Sequence, residues 1–387
     1  MEFKLHAAFG KNMSNPSNHS NNSVNAFFTL LRAGLWEESV YINKDVDFDE
    51  ILDIAVEQSV LGLITAGMER VQGSIIPKET ILNYVGRTLQ LEQQNKAMNA
   101  FIERLTIKLR CAGVNSVLVK GQGIAQCYKQ PLWRTCGDID LFLNDLDFSK
   151  ARTLLEPLSV SIVAELVYER HVSMTIDNWC VELHGNLPSS LSQKIDTVLE
   201  DLQFGVFFNG EVRTWRNGNT DIFLPSVDND ILFIFTHILK HLFQGGIGLR
   251  QICDWCRLLW TYKDDIDYPL LSARLHKMGL MTEWKSFASL AVNTLGYPPE
   301  DMPFYNNDRS WKRKGEKITS FILDTGNFGQ NRSNSYLKNH SYMIYKAISL
   351  WRHTSDSLRL FVIFPRDTMR VWFRMIKIGI VAAFKGQ

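Results

Sequence analysis

The sequence lacks an excess of charge of either sign. Its 387 residues include 42 Lys and Arg against 41 Asp and Glu, which leaves a formal net charge of +1 at pH 7. Proteins that bind along long stretches of nucleic acid use many basic side chains to neutralise phosphates. The composition therefore does not favour nucleic acid as the partner, although a local basic patch stays compatible with it because net charge averages over all faces.

Cysteine is also scarce. Six cysteines in a chain of this length do not make a disulfide framework, so we interpret them as reduced thiols of a cytoplasmic protein. Cys253 and Cys256 have the CxxC spacing of zinc and redox sites, but they lie in an apolar, helix-like run without a second pair. Two packed thiols are the favoured interpretation over a metal or redox site.

Long hydrophobic runs are missing as well. No run reaches the roughly 18 apolar residues that a transmembrane helix needs. The stretch from Met1 to Val24 is interrupted by Asn and Ser where a signal peptide would be apolar. We therefore expect no membrane span and a cytoplasmic location.

Apolar periodicity divides the chain into four parts. Residues 1–23 are rich in Asn and Ser and predict a disordered leader. Apolar residues at helical spacing fill residues 24–113 and return over residues 226–387, while residues 114–225 alternate short β-branched runs with turn signals. The sequence thus predicts an α+β fold, in which a small mixed-sheet core is flanked by N-terminal and C-terminal helical regions.

Two helices are predicted with definite ends. One begins after Pro77 and ends at Gly113, which can take the left-handed conformation that closes a helix. The other covers Asp228 to Phe243, with Asp228 as a candidate N-cap. The first of these helices leads directly into the α/β core.

The chemistry of the core centres on Asp138 and Asp140, which stand one residue apart in the apolar run DIDLFL. In a strand, residues i and i+2 point to the same face, so both carboxylates are expected to emerge together. Like charges on one face repel unless a cation lies between them, and Mg²⁺ (or Mn²⁺) prefers such oxygen ligands. The alternative is a surface strand whose acidic residues simply face solvent.

A glycine-containing turn precedes this acidic strand. Lys120, Gly121 and Gly123 follow a short apolar run that predicts a strand, and a helical segment comes next. Backbone N–H groups beside a helix start form an anion site, and glycine allows a phosphate to approach closely. A phosphate turn and a pair of metal-binding carboxylates together favour a site for a nucleoside triphosphate.

These motifs resemble those of a known superfamily. The residues that carry the likeness are Lys120, Gly121, Tyr128, Arg134, the GDIDL run at 137–141 and the VELH run at 181–184. They resemble the polymerase-β-like nucleotidyltransferases, and within them a branch of largely uncharacterised bacterial proteins with a Lys-Gly turn in place of Gly-Ser. Because no serine follows the glycine, the resemblance implies that Lys120 or the amides of residues 121–123 contact the phosphates.

The resemblance also implies a third carboxylate on a later strand. Glu182 is the best candidate because it points away from its apolar neighbours, and Asp177 is a weaker one in a probable turn. Glu182 would complete the metal site or act as general base, unless it is an edge residue without a ligand. His184 shares its face, and ligand, acid–base and core roles stay open.

Several other residues allow more than one interpretation. Arg134 is expected either to contact the triphosphate or to pair with one of the aspartates. Arg250 and Asp254 are four residues apart on a predicted helix and either line the acceptor pocket or pair with each other. His237 and His241 are also four apart, and packed core histidines are favoured over a zinc site.

The C-terminal residues 366–385 mix basic and apolar side chains. Such a helix lies on a membrane or RNA in some proteins, but an apolar stripe packed on the core is the favoured interpretation.

The sequence as a whole predicts a metal-dependent nucleotidyltransferase. The enzyme would transfer a nucleoside monophosphate from a nucleoside triphosphate to the hydroxyl of an acceptor, with a small molecule or sugar favoured over nucleic acid. The alternatives are a toxin-like enzyme that acts on tRNA and an inactive binding protein with the same fold.

Overall fold

A computed structural model describes residues 20–43, 46–73, 76–166, 170–327 and 342–384. Most of the predicted leader therefore lies outside the described residues. Helix α1 (Asn21–Trp36) begins ahead of the expected start at Val24, because the Ser20 hydroxyl caps it by accepting from the Ser23 amide. The leader and domain boundaries stay predictions.

Four helices precede the sheet: α1, α2 (Phe48–Glu57), α3 (Leu61–Met68) and α4 (Lys78–Cys111). Helices α1 and α3 cross closely, since a Cβ added to Gly67 would lie 2.0 Å from the Leu30 carbonyl oxygen. Helix α4 has the predicted limits, with Pro77 before it and Gly113 at φ 70° after it.

A five-stranded mixed sheet forms the centre of the molecule. Its strands are β1 (Val117–Val119), β2 (Asp138–Phe142), β3 (Ser161–Leu166), β4 (His171–Ile176) and β5 (Trp179–His184). They lie in the order β1-β2-β5-β4-β3, and only the β2–β5 pair is parallel. Two short helices, α5 (Gly121–Ala125) and α6 (Asp145–Leu155), lie between the first three strands along the chain.

The remaining elements follow the sheet. They are α7 (Gln193–Phe208), the β6 (Val212–Asn217) and β7 (Thr220–Pro225) hairpin, α8 (Val227–Gln244), α9 (Leu249–Thr261), α10 (Tyr268–Met278), α11 (Met281–Asn293), α12 (Arg309–Thr325), α13 (Tyr342–Phe361) and α14 (Pro365–Phe384). Ser226 precedes α8 as its N-cap, so the expectation of Asp228 at that position was wrong. Asp228 instead lies in the first turn, where its charge suits the helix dipole.

Two hydrophobic clusters hold these elements together. The larger one contains buried residues from Ala26 to Val371, so the N-terminal and C-terminal helices share one core. The smaller one joins α4 and α6 to the sheet and to β7. This arrangement confirms the predicted α+β class: a mixed sheet with helical regions packed around it.

Candidate active site

Strands β2 and β5 bring three carboxylates together. Because these strands are parallel, Asp140 stands opposite Glu182, and Asp138 opposite Cys180. The i and i+2 positions on β2 place both aspartates on one face, as the alternation of strand side chains requires. One carboxylate oxygen from each of Asp138, Asp140 and Glu182 lies within 4.8 Å of the others. Three oxygens so close together can hold one hard cation.

The turn after β1 places a lysine against this cluster. Val119 pairs with Asp140 across the antiparallel β1–β2 ladder, so the next residue, Lys120, lies beside the carboxylates. The Lys120 Nζ donates to Asp140 Oδ1 at 3.1 Å. Lys120 and Gly121 have positive φ values of 59° and 43°, and a non-glycine residue adopts such a backbone only under constraint. The turn therefore holds its backbone in a constrained conformation, and in this conformation the Lys120 ammonium lies at the carboxylates.

The two glycines of this turn differ in their surroundings. Gly121 lines the cleft beside Lys120. Gly123 packs away from the cleft, because a Cβ there would lie 2.7 Å from Leu224 Cδ2. The structure thus gives Gly121 access to a ligand and shows a packing reason for Gly123.

Two stacked histidines support the acidic cluster from the other side. His184 Nε2 lies 2.8 Å from Asp140 Oδ1, and His171 Nε2 lies 3.2 Å from Glu182 Oε2. Their rings stack at 4.7 Å because β4 and β5 pair these residues directly. Sequence analysis missed His171. The hairpin turn at Asp177 was recognisable, and counting back from it would have placed His171 opposite His184.

Burial and neighbouring charges divide the three carboxylates. Burial, with the charges of Asp140 and Glu182, raises the pKa of Asp138 to about 6. Burial also acts on Asp140, but Lys120 and His184 outweigh it and hold its pKa below the usual range. The two histidines likewise overcome burial and lower the pKa of Glu182. Of the three carboxylates, Asp138 is therefore the one whose charged form a bound cation would stabilise most.

Arg134 is not bound to either aspartate of β2. Its guanidinium makes a bidentate pair with Asp254, with Nε–Oδ1 at 3.0 Å and Nη2–Oδ2 at 2.6 Å. Tyr128 donates its hydroxyl to the same carboxylate at 2.7 Å. The Arg134 and Asp254 side chains are only 5% and 7% exposed. Asp254 is thus engaged by Arg134 rather than by Arg250, whose Nη1 donates to the Thr135 carbonyl at 2.8 Å.

The cluster opens into a cleft of about 430 Å³. Helices α8 and α9 form the wall that faces the sheet, and this wall contributes His237, Lys240, His241 and Arg250. Arg250 Nε is buried there without a partner in the described residues. The structure therefore places the two histidines at the cleft surface, half-buried, rather than inside the core where they were expected.

Burial keeps these wall histidines uncharged. It lowers the pKa of His241 to about 3, and Lys120 and Lys240 add to the effect. The pKa of His237 is lowered for the same reasons. Their rings meet edge to face at 4.3 Å. They offer neutral hydrogen-bonding groups to whatever occupies the cleft.

Other candidates from the sequence lie elsewhere. Asp177 is exposed in the β4–β5 turn and faces Arg104 at 3.8 Å. Cys253 and Cys256 are fully buried in α9, where burial raises the pKa of both thiols. Within the described ranges, the clusters with metal-ligand geometry all lie at this site: Asp138 with Asp140 and Glu182, and Glu182 with the two stacked histidines.

A family model described as "Uncharacterised nucleotidyltransferase" matches residues 44–296, more than half of the chain. The chain belongs to this family. The result agrees with the superfamily resemblance seen in the sequence, and the matched stretch contains every residue that lines the cleft. No curated protein and no solved structure matches the chain. Among the helices that the structure describes, none is long and apolar enough to cross a membrane.

Proposed function

We propose that this protein transfers a nucleoside monophosphate from a nucleoside triphosphate to an acceptor hydroxyl. The observation that carries the proposal is the convergence of Asp138, Asp140 and Glu182 within 4.8 Å at the wall of one cleft. The family membership supports the reaction class. Because Glu182 lies beside the two aspartates, the geometry favours an active enzyme over an inactive binding protein that lacks one of the metal-binding carboxylates.

The donor set fits a divalent cation such as Mg²⁺ or Mn²⁺. Asp138, Asp140 and Glu182 would hold it, because all three offer hard oxygen ligands. When bound, such an ion neutralises charge on the phosphates and on the leaving pyrophosphate. His184 orients Asp140 through its 2.8 Å contact, and His171 orients Glu182.

The rest of the cleft is suited to an anionic substrate. Lys120 and the amide of Gly121 lie beside the carboxylates, where the triphosphate would rest. Arg250 is a better second cation for it than Arg134, whose guanidinium is already engaged by Asp254. Glu182 is placed either as third ligand or as general base for the acceptor hydroxyl.

The acceptor that we propose is a small molecule or sugar. A cleft of about 430 Å³ lies within the roughly 300–1,000 Å³ that small-molecule sites occupy. The neutral side chains of His237 and His241 face this space and would hydrogen-bond hydroxyl groups without adding charge.

Transfer of label from α-³²P nucleoside triphosphates would test the proposal. Each triphosphate is incubated with Mg²⁺ and pools of sugars, sugar phosphates, nucleosides or total tRNA. We expect transfer to a small acceptor, with about a hundred- to thousandfold loss in Asp140→Asn, the order of effect seen when a group that stabilises the transition state is lost. Asp177→Asn is the matched control, because Asp177 is exposed outside the cleft.

Two results would contradict parts of this proposal. Transfer to tRNA alone would replace the small acceptor. Absence of thermal stabilisation by any triphosphate with Mg²⁺ or Mn²⁺, together with no transfer, would exclude the enzyme assignment, since a bound ligand must stabilise the folded state.

A further inference from the structure

The hairpin formed by α13 and α14 carries an apolar surface that is exposed in the part of the chain that the structure describes. Leu358, Val362, Met369 and Phe373 are 65%, 61%, 50% and 61% exposed, and Phe361 beside them is also exposed. We call these five residues the outer face. Single exposed apolar residues are ordinary, but five large ones grouped at one bend and along the following helix are not.

The other side of the same hairpin is firmly attached to the molecule. Leu360, Ile363, Phe364 and Val371 are buried and belong to the large hydrophobic cluster. Arg359 adds a contact of 2.5 Å to Asp324 of α12. The hairpin therefore has the expected apolar stripe packed on the core. The outer face is a second apolar surface, and because the packed stripe fixes the orientation of the hairpin, the outer face points away from the core.

Basic side chains accompany the outer face. Arg366, Arg370 and Arg374 recur every four residues, which places them along one side of α14, and all three are exposed. Met369 and Phe373 each immediately precede one of these arginines. Asp367 is the one acidic residue in this part of α14 (residues 365–374); it is half-buried and pairs with Arg370 at 3.3 Å, which leaves Arg366 and Arg374 as the larger part of the positive charge. The surface thus combines large apolar groups with positive charge.

We propose that the outer face docks the protein on an anionic lipid bilayer. Interfacial helices bind by burying apolar side chains at the level of the acyl chains while Lys and Arg contact anionic headgroups. Docking of this kind is peripheral and needs no spanning helix. It is independent of the nucleotidyl transfer proposed above.

Two other occupants fit the surface less well. RNA is bound by basic groups with aromatic stacking, and although Phe361 and Phe373 carry rings, the other three outer-face residues have none to offer a base. A second copy of the chain could pack on the same face by two-fold symmetry. That packing would bring Arg366, Arg370 and Arg374 close to the same three arginines of the other copy, and these like charges repel. A negatively charged bilayer satisfies both the apolar and the basic groups.

Vesicle sedimentation with the full chain tests the proposal. The vesicles contain phosphatidylcholine alone, or phosphatidylcholine with about a quarter phosphatidylglycerol. We expect binding to the anionic vesicles that weakens as salt is added. The double variants Met369→Ser with Phe373→Ser, and Arg366→Glu with Arg374→Glu, should each lower the partition coefficient at least about tenfold.

Matched controls separate docking from general surface effects. Leu82→Ser with Leu89→Ser removes exposed apolar groups from α4, and Arg309→Glu with Arg313→Glu reverses exposed charges on α12. Both controls should bind vesicles as the unaltered chain does. All four double variants alter exposed positions, so unchanged thermal unfolding is expected and verifies folding.

Three outcomes would overturn the proposal. The first is no sedimentation with anionic vesicles, and the second is equal binding by the outer-face variants and the unaltered chain. The third is binding to RNA, or a dimer in light scattering that the Met369→Ser, Phe373→Ser variant loses, without any vesicle binding.

Discussion

Lys120 and a metal ion would compete for the same carboxylate. The ammonium lies 3.1 Å from Asp140 Oδ1, which also contacts His184 at 2.8 Å. Burial would lower the pKa of Lys120, but the surrounding carboxylates outweigh it and raise that pKa, so the lysine stays charged. A cation that binds Asp140 must either displace this ammonium or tolerate its repulsion.

Lys120→Met should therefore strengthen metal binding in the absence of nucleotide by at least about tenfold, because two like unit charges about 4 Å apart repel by roughly 1 kcal/mol in water and roughly 4 kcal/mol near a protein surface. The same change should weaken nucleotide binding, because it removes a phosphate contact. Calorimetric titration with Mn²⁺ alone, and then with nucleotide, measures the two effects separately. Lys129→Met serves as control, since Lys129 is exposed outside the cleft. Weaker metal binding in Lys120→Met would show that the ammonium does not oppose the ion.

The buried pair of Arg134 and Asp254 is expected to matter for stability. Arg134→Ala leaves the Asp254 charge buried with only Tyr128 as a described partner, and such losses cost about 3–5 kcal/mol. Arg250→Ala should cost only about 1 kcal/mol, for one hydrogen bond to a carbonyl, yet raise the KM for the triphosphate. Urea unfolding and steady-state kinetics give both values. Equal stability of the two variants would contradict this division of roles.

These residues also show what the sequence could reveal about the site. The shared face of Asp138 and Asp140 was predictable, because strand alternation acts over two residues and leaves a readable pattern. Glu182 was a candidate through the superfamily resemblance, and the pairing of β2 with β5 brings it to Asp140. The partner of Arg134 was not, since Asp254 lies 120 positions away and only the packing of α9 brings it close. The wall residues Lys240 and Arg250 line the same cleft as the carboxylates through the same tertiary packing.

At the scale of elements, the crossing of α1 and α3 depends on glycine. A Cβ on Gly67 would lie 2.0 Å from a backbone oxygen of α1, and backbone cannot move aside as a flexible side chain can. Gly67→Ala should destabilise the protein by about 1–3 kcal/mol or more, as overpacking does. Gly86→Ala is the matched control, because its added Cβ would meet nothing within 4 Å in α4. That control should gain up to about 1 kcal/mol from helix propensity.

Chemical denaturation of the two variants tests this packing. The prediction fails if Gly67→Ala unfolds at the same urea concentration as the unaltered chain.

Two acids, Glu283 of α11 and Asp367 of α14, lie beside each other where these helices meet. Burial, followed by the charge and hydrogen bond of Asp367, raises the pKa of Glu283 to about 8, while Lys314 opposes this rise. The folded protein then keeps a proton that the unfolded chain releases near pH 4.5, the ordinary pKa of Glu. Stability contributed by this contact should fall as pH rises from about 4.5 to 8, because the folded state binds more protons there.

Glu283→Gln should remove that part of the pH dependence. A neutral amide can donate to Asp367 as the protonated carboxyl does, so the variant should gain melting temperature at pH 8 and gain little at pH 5. Thermal unfolding at the two pH values measures the difference. An equal shift at both would mean that Glu283 does not carry the proton.

Most elements were predictable where one local rule determines them, and less so where several compete. Pro77 and Gly113 delimit α4 because proline fixes its own φ, whereas glycine is free to take the left-handed conformation that ends a helix. The start of α8 was misplaced since Ser226 and Asp228 are both good N-caps. Met369 and Phe373 of the outer face are as apolar as the packed Val371 of the same helix, so apolar periodicity alone could not separate the exposed side from the packed side.

At the scale of the whole molecule, the structural unit is larger than the family match. The match begins at residue 44, which leaves α1 outside it. Phe27, Leu30 and Leu31 of α1 are fully buried in the large cluster. Trp36 Nε1 donates to the Leu295 carbonyl at 2.6 Å, and Arg257 Nη1 donates to the Leu35 carbonyl at 2.8 Å. Helix α1 therefore joins α9 to the segment after α11.

A chain that starts at residue 44 should consequently lose its cooperative fold. Each fully buried side chain of α1 contributes about 1.5–3 kcal/mol, and together they approach the roughly 5–15 kcal/mol by which proteins are stable. A chain that starts at residue 20 keeps α1 and should unfold as the full chain does. Circular dichroism during thermal unfolding compares the three. An unchanged midpoint for the chain that starts at residue 44 would mean that the matched region folds independently, and that α1 is only attached to its surface.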